Sequence, residues 1–145
     1  MPLAVRPFVH ASAHYDAALA LRRRILRAPL GLDFSAEQLA GEAEDAHLGA
    51  FLDDRMVATV VLSPCDATTV KLRQMAVDPD LQGRDIGSQL LRAAEDHARA
   101  GGKTRIVMAA RLTARAFYAR NGYASEGEVF TEVTIPHIRM TKDLA

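Results

Sequence analysis

The sequence predicts a mixed α/β domain around a single sheet, and three observations carry that reading. Short apolar runs suited to strands recur at both ends of the chain. A strongly amphipathic stretch, Gly87 to Ala100, lies between two such runs. A turn rich in Asp, Pro and Gly joins that stretch to the strand before it. The middle therefore reads as one β-α-β crossover, with meander-like strands before it and a hairpin-like pair after it.

Taken in order, Leu3 to Val9 alternates as a first strand should. His14 to Arg27 carries Ala17, Ala18, Leu21, Ile25 and Leu26 at helical spacing with one basic face, until Pro29 and Gly31 interrupt it. Ser35-Ala36-Glu37-Gln38 has the form of a capping box, in which a Ser oxygen and a Gln side chain satisfy orphan N–H groups reciprocally. It predicts a short second helix. His47 to Leu52 and Met56 to Leu62 form a hairpin through Asp53-Asp54, and Thr68 to Val77 continues the sheet. The amphipathic helix from Gly87 places Leu90, Leu91, Ala94 and Ala98 on one face and stops at Gly101-Gly102. Thr104 to Ala110 is apolar enough for a buried strand parallel to the one before the helix. Thr113 to Arg120 is a short helix closed by Asn121-Gly122, followed by strands at Tyr123 to Phe130 and Thr134 to Met140.

The 145 residues suit one domain with a substantial core, expected to span 1–145. Lys plus Arg equals Asp plus Glu at 18 each, so no overall field favours nucleic acid or an anionic membrane. The longest apolar run, Met56 to Leu62, is too short to span a bilayer. No signal peptide is visible, and Cys65 has no partner for an internal disulfide; both point to a cytoplasmic protein. Five histidines lack metal-ligand spacing, so no metal is expected. Gly101-Gly102-Lys103-Thr104 imitates the end of a P-loop, but it follows a helix and precedes a strand, the reverse of the order that motif requires.

Residues 72 to 91 carry the chemistry. A strand, a turn at Pro79, a loop and a helix start build an anion site, because the first N–H groups of a helix lack intrahelical acceptors and lie at its positive end. Gly83 and Gly87 carry no side chain to hold a phosphate away from the backbone.

These residues resemble the GNAT superfamily of acyl-CoA-dependent N-acetyltransferases. Its pyrophosphate motif, Gln/Arg-x-x-Gly-x-Gly/Ala after an apolar-Val-Asp-Pro strand end, matches Ala76-Val77-Asp78-Pro79 and then Gln82-Gly83-Arg84-Asp85-Ile86-Gly87. A second family pattern appears as Ala114-Arg115-Ala116-Phe117-Tyr118 followed by Gly122-Tyr123. The tail from Phe130 to Glu132 and on to Ile135-Pro136-His137 resembles the ElaA-like bacterial branch. The resemblance implies a mixed sheet of about six or seven strands with about four helices on both faces. It implies acetyl-CoA as cosubstrate and, as acceptor, the amine of a small molecule or peptide; a homodimer is compatible with it. By that carry-over, Met75, Ala76 and Val77 flank the pantetheine, and the Val77 N–H polarises the thioester carbonyl. Gln82, Gly83, Arg84, Asp85, Ile86, Gly87 and Ser88 surround the pyrophosphate. Tyr118 protonates the departing thiolate, or else is only a core tyrosine.

The acceptor ammonium must lose a proton, since only about one amine in a thousand is neutral at pH 7. A water-mediated route is the default, with Glu132, His137, His47 and Glu42 as side-chain candidates to take it. Arg22, Arg23, Arg24 and Arg27 read as a solvated face or as a site for a substrate carboxylate or phosphate. Asp85 departs from the family pattern, standing where a glycine is usual; its carboxylate either faces the pyrophosphate or turns outward and caps the helix. That departure leaves a non-catalytic acyl-CoA-binding sensor as the alternative reading, and a longer acyl chain as a further one.

Overall fold

Alternation along the strands builds two hydrophobic layers on one sheet. The computed structural model describes residues 3–81 and 83–145. Among these, the strands are β1 (Leu3–Phe8), β2 (Ala46–Leu52), β3 (Arg55–Pro64), β4 (Thr69–Val77), β5 (Arg105–Arg111), β6 (Ala124–Glu132) and β7 (Ile135–Asp143). They form one seven-stranded sheet in the order β1-β2-β3-β4-β5-β7-β6. The β4–β5 pair is parallel and the others antiparallel. The α-helices are α1 (Ala13–Arg22), α2 (Ala36–Ala40), α3 (Ile86–Ala100) and α4 (Arg115–Arg120). This is the mixed architecture the sequence predicts.

Because side chains alternate across a strand, Ala58, Val60 and Leu62 of β3 and Ile106, Met108 and Ala110 of β5 turn to one face. There they meet Leu90, Leu91, Ala94 and Ala98 of α3 in the main core. Val61, Val107 and Phe51 are buried outside that cluster, on the face that carries α1. Among the described residues, no helix is long and apolar enough to cross a membrane.

Two local departures from regular structure position the site. The parallel pairing of β4 with β5 runs only from Thr69↔Arg105 to Lys71↔Val107, after which the strands separate. On its other side β4 carries a bulge: Val61 and Thr59 of β3 oppose Arg73 and Ala76, so β4 takes one extra residue. Gln74 adopts φ 53 there. The bulge changes which side chains face α3. Val70 and Leu72 do so before it, Met75 and Val77 after it.

The second departure is in the first helix, predicted as one run to Arg27. The α-helix ends at Arg22 and widens into a π turn, Arg23–Arg27, in which the Ala28 N–H donates to the Arg23 carbonyl. A short 3-10 turn, Ala28–Leu30, follows and stops at Gly31 with φ 70. The extra residue in the π turn brings both Leu26 and Arg27 inward. In α2, Ser35 Oγ accepts the Gln38 N–H at 3.1 Å, as the capping-box spacing requires.

Candidate functional site

The split between β4 and β5 opens a cleft of about 820 Å³ that runs from the N-terminus of α3 to Tyr118. Asp78 donates its N–H to Val57 on β3 at 2.8 Å. Backbone groups alternate sides along a strand, so those of Val77 and Met75 face the open side, where β5 has turned away. They are free to pair with an extended ligand.

At the end of this channel, the first helical bond of α3 runs from the Gln89 N–H to the Asp85 carbonyl at 3.1 Å. The N–H groups of Ile86, Gly87 and Ser88 therefore have no helical acceptor, and these three residues line the cleft. Gly83 has φ +85 and open space where a side chain would stand. A Cβ on Gly87 would lie 3.1 Å from the Phe117 ring, so this glycine also permits close packing of α3 on α4. Gly83, Asp85, Ile86, Gly87 and Ser88 all border the cleft, whereas Arg84 is exposed and outside its lining. Gln82 lies outside the described residues.

Asp85 takes the left-handed conformation, φ 60 and ψ 20, that a glycine would otherwise supply. Its side chain does not cap the helix, contrary to one expectation. The carboxylate turns to Arg92 at 3.3 Å, and both groups are exposed.

Asp78 has a role that motif reading missed. Its buried carboxylate accepts the Asp80 N–H (3.0 Å), Arg55 Nη2 (2.7 Å) and Arg24 Nη2 (3.4 Å). The Asp80 N–H, then the two arginines, hold this carboxyl below its ordinary range against the opposing effect of burial. Asp78 thus ties the loop ahead of α3 to β3 and the π turn. The signal was present as an Asp before Pro, a residue type that bonds its own following backbone.

A second cavity, of about 300 Å³, adjoins the first. Leu26, Met75, Arg111, Ala114 and Tyr118 border both, so the two cavities meet at these residues. Tyr118 is buried, and its hydroxyl donates to the Met75 sulfur at 3.6 Å. Burial pushes its pKa up to about 12, with Arg111 pulling the other way.

Glu132 and His137 line this second cavity, with Glu132 Oε2 3.8 Å from His137 Nε2. His137 Nδ1 lies 2.9 Å from the Ile135 carbonyl, which can only accept, so Nδ1 carries the proton. In the neutral ring, Nε2 is then the basic nitrogen.

His47 and Glu42 are elsewhere. His47 Nε2 bonds the Glu42 carbonyl at 3.0 Å within a buried aromatic group. The Glu42 carboxylate accepts Arg22 at 2.8 and 2.7 Å and the Tyr15 hydroxyl at 2.8 Å. Burial would raise its pKa, but Arg22 outweighs this and holds it low. Both residues serve the interior and face neither cavity.

The arginine cluster also divides. Arg23 pairs with Asp33 and Arg24 with Asp78, while Arg22 and Arg27 are buried over the Phe34 ring. The widened turn separates these fates.

The Acetyltransferase (GNAT) family model matches residues 15–123. The chain belongs to this family. It is an acyl-CoA-dependent acetyltransferase, with acetyl-CoA as cosubstrate.

Solved structures similar to this GNAT protein include one named as an N-acetyltransferase from Lactobacillus plantarum, 23% identical with a TM-score of 0.87 over 100% of both chains. Escherichia coli ElaA is 21% identical at a TM-score of 0.81, covering 97% of this chain and 99% of its own. The PaiA N-acetyltransferase of Thermoplasma acidophilum, solved with coenzyme A, is 17% identical at 0.75 over 99% of each chain. At these identities the likeness is one of fold.

Proposed function

We propose that the 145 residues act as one catalytic domain that moves acetyl from acetyl-CoA to the amine of a small molecule or peptide by direct attack on the thioester. The observation that carries this reading is the meeting of the two cavities at Tyr118, Met75 and Arg111. The residues fit the coenzyme. Free N–H groups at the start of α3 suit a diphosphate, and the unpaired edge of β4 suits the pantetheine amides. When bound, acetyl-CoA supplies a thioester carbonyl, and the acceptor nitrogen forms a C–N bond there as the C–S bond breaks.

The protein handles the protons. His137 Nε2, beside Glu132, takes one from the acceptor ammonium, leaving a neutral nucleophile. The Val77 N–H, on the open side of β4, stabilises developing charge on oxygen.

Tyr118 faces the departing sulfur. Full transfer from a phenol raised to about 12 to a thiolate, the conjugate base of a stronger acid, would be uphill. Tyr118 therefore relays: it gives its proton to sulfur as the nitrogen's remaining surplus proton returns to its oxygen. No phenolate accumulates.

The turn of Asp85 towards Arg92 supports the catalytic reading over the non-catalytic alternative. The exposed, unpartnered Cys65 fits a reducing cytoplasm. Release of free CoA across an amine panel tests the reading. Amine-dependent release is expected; tight acetyl-CoA binding with no release from any amine would favour a sensor.

A further inference from the structure

Arg22 and Arg27 lie on the same helical segment, and both are buried, with relative exposures of 0% and 6%. They differ in what neutralises them. Arg22 makes a two-pronged pair with Glu42. Arg27 makes no ion pair among the described residues. Its Nη1 donates to the Leu26 carbonyl at 3.2 Å, and Arg111 Nη2 donates to the same oxygen at 2.7 Å. Two guanidinium groups thus converge on one neutral acceptor.

Lys71 and Arg73 line the same cavity, also without an ion pair among the described residues. Glu132 is the acid among the lining residues, so four cations face one carboxylate. A buried charge is normally paired, because leaving water without a counter-charge is strongly unfavourable. Burial, followed by the charges of Arg111 and Arg22, accordingly lowers the Arg27 pKa. The coenzyme's diphosphate does not supply the missing charge, since Arg27, Lys71 and Arg73 lie outside the cleft that reaches α3.

We propose that the acceptor amine carries an oxyanion, a carboxylate or a phosphate, which seats between Arg27 and Arg111 with Arg73 and Lys71 beside it; this rests on the transferase reading above. A guanidinium fork matches either group with paired, charge-assisted hydrogen bonds. The same cations lower the pKa of a nearby ammonium, so the anion subsite also favours the neutral nucleophile. A cavity of about 300 Å³ limits the part of the acceptor it encloses to roughly amino-acid size.

Two measurements separate this subsite from the transferase reading. In the first, CoA release is followed with β-alanine, β-alaninamide, O-phosphoethanolamine and propylamine as acceptors. An anionic acceptor should exceed its neutral match in kcat/KM by at least about 10-fold, and the better anion identifies the source. Arg27→Gln should remove that preference mainly through KM, while acetyl-CoA affinity stays unchanged. Arg73→Gln, at a half-buried position, gives a milder loss if Arg27→Gln fails to fold.

The second needs no turnover: acetate and inorganic phosphate are titrated into the CoA-saturated protein while arginine side-chain resonances are observed. Saturable shifts that weaken in Arg27→Gln or Arg73→Gln uphold the subsite, even if no amine is acetylated and the transferase reading falls. No saturable shift, or shifts indifferent to both substitutions, overturns the subsite even if neutral amines turn over well.

Discussion

The wall we assign to the coenzyme is main chain and glycine, whereas the wall we assign to the acceptor is charged side chain drawn from four separate elements. Gly83, Gly87 and the first N–H groups of α3 lie within a few residues of one another, at the start of a single helix. Arg27 comes from the π turn, Lys71 and Arg73 from β4, Arg111 from β5, and His137 from β7. A main-chain site tolerates most substitutions that leave the backbone path intact. A side-chain site loses a specific contact with each one.

The largest expected effect is on the acceptor side's scaffold. Glu42→Ala leaves Arg22 buried without its partner and should cost about 3–5 kcal/mol, read from urea unfolding. A loss below 1 kcal/mol would mean that the pair does not hold α1 in place. At the junction, Tyr118→Phe keeps the ring and removes the relay. We expect kcat to fall about 100-fold with little change in acetyl-CoA affinity. Unchanged kcat would return Tyr118 to a packing role.

On the coenzyme side, Gly87→Val pushes branched carbon against Phe117, where even a Cβ would approach to 3.1 Å. Acetyl-CoA affinity should weaken by at least about 10-fold, because α3's N–H groups must shift. If Gly87→Val binds the coenzyme normally while Arg27→Gln does not, the assignment of the two sides is reversed.

Alkaline pH tests the buried phenols at the junction and under α1. Tyr118 and Tyr15 are both raised from 10.0 to about 12, the first by burial and the second by burial and Glu42. A raised folded pKa disfavours ionisation in the native state, so stability is intact below pH 10 and declines as pH climbs towards 12. By pH 11 each should have lost about 1.4 kcal/mol. Tyr118→Phe should make the decline shallower, and an identical slope in both proteins would contradict the shift.

Asp85→Gly should do least. It relieves a left-handed non-glycine residue and removes an exposed ion pair, so coenzyme affinity should change by less than about 3-fold. A large gain would show that the carboxylate faces the diphosphate after all.

The same contrast explains what could be read in advance. The turn at Gly83 and the helix after it were legible because every residue involved is local. The helix expected from Gly87 begins at Ile86 and ends at Ala100 as foreseen. Tyr118 could be singled out because its motif is equally compact.

The acceptor side depends on long-range geometry. The π turn carries no glycine or proline within Arg23–Arg27, so nothing in Arg-Arg-Ile-Leu-Arg announces that Arg27 turns inward. The Gln74 bulge, which aims Met75 at Tyr118, likewise lacks the glycine that often marks one. Glu42 and His47 were reasonable proton acceptors by chemistry alone. Arg22, Tyr15 and the neighbouring aromatic rings draw them into the interior instead. Charge pattern along a chain cannot distinguish a solvated arginine from one whose counter-ion is a substrate.

A crystal structure with coenzyme A bound tests the central claim most directly. The diphosphate is expected on the N–H groups from Gly83 to Ser88, the pantetheine along the open edge of β4, and the sulfur beside Tyr118. Coenzyme density on another surface, or a sulfur directed away from the cavity that holds Arg27 and His137, would contradict it.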